Sequence, residues 1–148
     1  MKEHPLLKHI RRPDLSVLGS SIKIVPPQLW KPRMIFAGAL DVNLKKATGA
    51  FPATFRKDHT THPVFVLKNL AVASHQVCPC SSKGSPRQQR YVPRGCRLEM
   101  TDKKMDRDSF LVEKYSFILP GDSALVKNLF FLGRVPSGAL KGRGGDKK

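Results

Sequence analysis

Acidic residues are scarce in this chain: 11 Asp and Glu stand against 27 Lys and Arg in 148 residues, a formal charge of +16. A surface so charged repels basic partners and gathers polyanions. Nucleic acid is the first partner to consider, because neutralising its phosphates releases counterions whatever the base sequence. Long apolar runs are also missing. Nothing approaches the roughly 18 consecutive apolar residues of a spanning helix, so no membrane partner is expected. Arg11, Arg12 and Pro13 interrupt the start where a secretory signal needs a continuous apolar region. The expectation is a soluble, cytoplasmic protein. Clustered carboxylates are absent apart from Asp102, Asp106 and Asp108, which lie in an expected turn, and this argues against a metal-dependent nuclease. No internal repeat is present, and the length suits one domain with a single modest core.

What is there reads as short strands. Residues 1–33 hold five prolines and seven Lys or Arg. They form a basic, Pro-rich arm with one short strand at Ser21–Val25. The barrel domain is expected over 34–136. Its first strand is "MIFAGAL", ended by Asp41 and Asn43, and residues 42–61 are a long irregular loop. Val64–Leu67 follows as strand two, because Pro63 blocks a helix at its start and the run is β-branched and aromatic. "VASHQVCPC" is a weaker strand. "SSKGSPRQQR" is a loop, and "RYVPRGCRLEM" is an edge strand with a bulge or turn at Pro93 and Gly95. Phe110–Glu113 and Tyr115–Leu119 make a strand pair bending at Glu113 and Lys114. Five or six short strands make a small barrel. A single helix is expected in "PGDSALVKNLFFLG", capped by Asp122, with Leu125, Leu129 and Leu132 on one face and Gly133 closing it. Residues 137–148 are expected to be a disordered basic tail.

Three constellations bear chemistry. Cys78, Cys80, Cys96 and His75 suggest a zinc site, but the pair Cys78 and Cys80 is separated only by Pro79, whereas a zinc knuckle and a disulfide oxidoreductase both place two residues between ligands. No metal or other cofactor is expected, and the cysteines read as reduced and half buried in a strand. Arg87, Arg90, Arg94 and Arg97 have helical spacing, yet Pro93 and Gly95 break the helix. They read as scattered cations, either solvated or touching phosphates. His59 and His62 flank two threonines where a basic loop enters strand two, and an imidazole there suits proton transfer. Metal-independent RNA cleavage needs such a group for the 2′-hydroxyl proton and the leaving 5′-oxygen, with donors for the charge on phosphorus.

The order of segments, "HPVFVLKN", "VCPCSSKG", "YVPRGCRLEM", "MDRDSFLVE" and "LVKNLFFLGRVP", resembles the MazF, PemK and Kid toxins of type II toxin–antitoxin systems, over about Met34 to Pro136. The resemblance implies a mainly β, small SH3-like barrel of the MazF, Kid and CcdB type with a C-terminal helix. It also implies a homodimer that cuts single-stranded RNA without a metal and is neutralised by a small antitoxin protein. By the same resemblance His62 stands at the position of the family's catalytic arginine, Ser81 with Ser82 at its hydroxyl position, and Glu113 where an acidic residue is common. His62 keeps the ability to shuttle a proton but lacks arginine's permanent charge and forked donors. Arg56, Lys57, Ser82, Lys83, Arg87, Arg90 and Arg94 are then the residues that hold the RNA backbone. The alternatives are a non-catalytic nucleic-acid-binding barrel and a basic component of a ribonucleoprotein.

Overall fold

The runs "MIF", "VFV" and "VCPC" have no polar alternation because their strands are covered on both faces. In the computed structural model, which describes residues 25–52 and 61–143, Phe36, Val64, Val66 and Val77 enter one apolar cluster, while Ile35, Phe65, Cys78 and Cys80 enter another on the opposite side. Side chains two apart share a face of a strand, so neighbours sort to opposite cores. The first cluster also holds Trp30, Leu44, Leu119, Leu125 and Phe131; the second holds Val92, Leu98, Met105, Leu111 and Val135.

The strands are β1 (Met34–Leu40), β2 (Thr61–Ala71), β3 (Ser74–Ser81), β4 (Arg90–Val92), β5 (Ser109–Leu111), β6 (Phe117–Pro120), β7 (Phe130–Arg134) and β8 (Lys141–Gly142). They form one curled antiparallel sheet, a half-barrel, in the order β7-β1-β2-β3-β5-β4-β8. β3 is shared along its length: Ser74–Val77 pair with β6, and Cys80 and Ser81 pair with β5. The 3-10 turn Glu113–Tyr115 sits between β5 and β6 and bends the chain from one partner zone to the next, where a kink at Glu113 and Lys114 was expected. The mainly β, small-barrel class is therefore as read.

Five expectations change. The closing helix is a 3-10 turn, Ala124–Asn128, followed by β7. Leu129 and Phe131 enter the core with period two, and β1 offers a free edge for the backbone, so pairing displaces the helix after five residues. Ser123, not Asp122, caps the turn by accepting from the Leu125 amide at 3.2 Å. Among the described residues one α-helix is present, α1 (Asp41–Thr48), and it lies where a loop was expected. Leu44 anchors it in the core, and Gly49 ends it in the left-handed region with φ 80°. The globular part begins before Met34: Trp30 is 2% exposed and donates Nε1–H to the Val25 carbonyl at 2.8 Å. It also extends past residue 137. Leu140 is buried and β8 pairs with β4, because that edge still has unpaired backbone groups. The strand expected at Ser21–Val25 lies outside the described residues except for Val25, as do Arg56, Lys57 and His59.

Among the described residues no helix is long and apolar enough to cross a membrane.

Candidate acid–base site and nucleic-acid interface

β1 ends on Leu40, and the chain turns at once into α1, so Asp41 sits at the first helical position, packed below the sheet and 2% exposed. β2 runs back beside β1 with Ala39 opposite His62. The turn thus brings the two side chains together: His62 Nδ1 lies 2.5 Å from Asp41 Oδ1. Phe51 packs edge-on to the imidazole at 5.0 Å between centroids. A carboxylate on Nδ1 sets the tautomer and the ring plane, and leaves Nε2 for other partners. His62 itself is part exposed, with 22% of its side chain open to solvent.

Ser81 arrives from the neighbouring strand. The last paired position of β2 and β3 is Val64 with Pro79, and His62 and Ser81 each lie two residues beyond it, at the same end of the two strands. Alternation puts both on the face of Val64. The Lys83 amide donates to Ser81 Oγ at 3.1 Å, which steadies the oxygen and leaves its hydroxyl proton to be donated elsewhere.

Ser82 lies on the other side of this strand end, in the wall of a cleft of about 620 Å³ that also includes Thr61, His62 and Pro63. The cleft opens where β1 is irregular: the β1–β2 register shifts between Phe36 and Ala39, and Gly38 has φ 100°. A Cβ at Gly38 would collide with the backbone carbonyl of Asn128, so glycine is required by space as well as by conformation.

The other expected contacts divide. Arg90 forms a two-point ion pair with Glu113, Nε to Oε2 at 2.9 Å and Nη2 to Oε1 at 2.8 Å, so Glu113 holds an arginine and not the histidine. The pair is part exposed, and exposed pairs are worth ~0–1 kcal/mol. Glu113→Gln is therefore expected to shift the unfolding free energy by less than about 1 kcal/mol in a denaturant titration. Arg87 and Lys83 are exposed on the loop after β3. Arg94 is exposed too, and its amide donates to Asp108. Asp41 carries no signal of its role in the sequence: it lies 21 positions from His62, and only the strand–helix turn closes that gap.

Cys78 and Cys80 are fully buried in the second core, with no accessible surface. Burial, and then the hydrogen bond with Cys80, push the Cys78 thiol well above its ordinary range. Burial also raises Cys96, which is part exposed. Because the folded state keeps the Cys78 proton longer than the unfolded chain does, stability falls as pH rises past the unfolded thiol's ~8.5, by up to about 1.4 kcal/mol per pH unit. Cys78→Ala is expected to remove that part of the alkaline slope, read by denaturant titrations between neutral and alkaline pH. Native alkylation followed by mass spectrometry should label Cys96 alone.

Compared with family models, curated proteins and solved structures, the chain gives no match.

Proposed function

We propose that this chain is a toxin-type endoribonuclease that cleaves single-stranded RNA without a metal and is neutralised by a small antitoxin protein. The observation that carries the reading is the His62–Asp41 pair, at the same end of the paired strands as Ser81, on a chain of charge +16. His62 Nε2 takes the proton of a ribose 2′-hydroxyl, whose oxygen attacks the adjacent phosphorus. The bond from phosphorus to the 5′-oxygen breaks, the protonated imidazole returns its proton to that oxygen, and a 2′,3′-cyclic phosphate remains. Asp41 acts as a positioning residue that orients the ring and supports the imidazolium. The Ser81 hydroxyl donates to a non-bridging oxygen as charge builds there. Lys83, Arg87 and Arg94, with Arg56 and Lys57, hold the flanking phosphates.

The test is incubation of purified protein with single-stranded RNA, with and without a chelator, and mapping of the new ends. Cyclic phosphate ends that form in chelator and vanish with His62→Asn support the reading. RNA bound but left intact leaves the non-catalytic barrel. Cleavage that needs an added divalent ion overturns the metal-independent mechanism.

A further inference from the structure

The lining of the 620 Å³ cleft includes the apolar Pro63, Leu98, Met105 and Leu132, of which Leu98 and Met105 are buried, and the cations Lys103, Lys104 and Arg107. Its volume falls within the ~300–1,000 Å³ typical of sites for small organic ligands. Two carboxylates share the lining, and both already have partners. Asp108 accepts from the Arg94 amide at 2.8 Å, and Asp106 pairs with Arg107 at 3.5 Å. Among the described residues, no carboxylate pairs with Lys103 or Lys104.

The lining is also built to stay in place. The segment 97–104 is pinned to the sheet by backbone pairing of Glu99 with Arg134 and closed on itself by pairing of Arg97 with Lys104. Thr101 fastens it further by donating its hydroxyl to the Leu132 carbonyl at 2.5 Å. Gly133 allows this approach: a Cβ there would lie 2.5 Å from Leu98 Cβ. A partly apolar cleft lined by two cations that have no carboxylate partner among the described residues suits a ligand with a flat apolar face and an attached anion. A nucleotide has both, since bases splayed from a single strand lie against apolar or planar side chains while cations take the phosphate.

We propose that this cleft is a nucleotide subsite, which seats one base of single-stranded RNA on Pro63, Leu98, Met105 and Leu132 with its phosphate at Lys103 and Lys104. It rests on the proposed nuclease function in naming RNA as the ligand, and it adds where a base next to the cut is held, since Ser82 and His62 share the cleft wall. None of the four apolar residues is a catalytic residue. Their role is to select and place the strand.

The experiment uses the full chain and 2′-O-methyl RNA, which lacks the attacking hydroxyl and so cannot be cut. The pools contain 4-thiouridine or 6-thioguanosine as photo-crosslinkers. Crosslinks mapped by mass spectrometry are expected in Leu98–Ser109 and at Pro63. Lys103→Glu with Lys104→Glu is expected to weaken binding about tenfold or more at low salt. It should also flatten the slope of log affinity against log salt by about 0.7 for each phosphate left without its lysine. Unchanged thermal unfolding of the variant assigns the weaker binding to the two lysines. Crosslinks confined to other surfaces, such as that around Arg33 and Arg134, overturn the subsite, as does undiminished binding by the variant. Crosslinks in the cleft while unblocked RNA stays intact support the subsite and defeat the nuclease reading. Cleavage of unblocked RNA with no crosslink in the cleft does the reverse.

Discussion

On the proposed nuclease mechanism, His62→Asn is expected to reduce RNA cleavage by about 10²–10⁴-fold, the usual contribution of a positioned acid–base group. Asparagine is the informative replacement because its amide N–H can stand where Nδ1–H stands and keep the bond to Asp41, while it has no nitrogen that accepts and returns a proton. Alanine tests less cleanly. It leaves the Asp41 carboxylate, 2% exposed, without its partner, and a buried charge so abandoned costs ~3–5 kcal/mol. Binding of uncleavable RNA by His62→Asn should match the parent chain, which separates chemistry from affinity. Asp41→Asn is the companion variant. The amide at position 41 no longer specifies the Nδ1–H tautomer, so cleavage should fall and its pH profile should change shape, which loss of packing alone does not produce. A cleavage rate left intact in His62→Asn removes the histidine from the mechanism.

Phe36→Ala is expected to cost about 3–5 kcal/mol of stability. The side chain is 1% exposed and lies between Trp30, 4.4 Å away between ring centroids, and Phe131, 5.5 Å away. It therefore joins the segment before β1 to the last long strand through the centre of the first core. Truncation leaves a cavity that these rings cannot collapse into, because the neighbouring strands hold their spacing. Against a typical stability of ~5–15 kcal/mol this is a large share. With a shift of about 2–4 °C per kcal/mol for a chain of this size, the midpoint should drop by about 6–20 °C in a thermal scan followed by circular dichroism. Val72→Ala is the control. Val72 is 78% exposed at the β2–β3 turn and should change stability by no more than about 0.5 kcal/mol.

Much of the sheet is legible in the sequence because buried strands announce themselves. "MIFAGAL", "PVFVL" and "SHQVCPC" are short, apolar and bounded by breakers, and each is a strand. The helix α1 has its own signals, but they are weak ones. Asp41 in its first turn, Lys45 and Lys46 in its last and Gly49 beyond mark a start and a stop, yet two turns of helix give too short a period to stand out beside a proline-containing loop. Residues 120–133 mislead in the other direction. Leu125, Leu129 and Leu132 fit a helical face, while Leu129, Phe131 and Gly133 fit a strand equally well, and the free edge of β1 decides between them.

The site divides in the same way. Charge, the histidine before strand two and the serines behind "VCPC" follow from residue type and local pattern, which a linear sequence carries directly. That Cys78 and Cys80 share a buried face also follows, from the period of a strand. What the tertiary structure alone decided are the contacts between distant segments. Asp41 meets His62 across 21 positions, Arg90 meets Glu113 across 23, and the 97–104 segment closes a cleft against β2. Each depends on the register of strand pairing and on where the chain turns. A one-residue slip of a strand would exchange its two faces, so these partnerships exist only once the sheet is assembled.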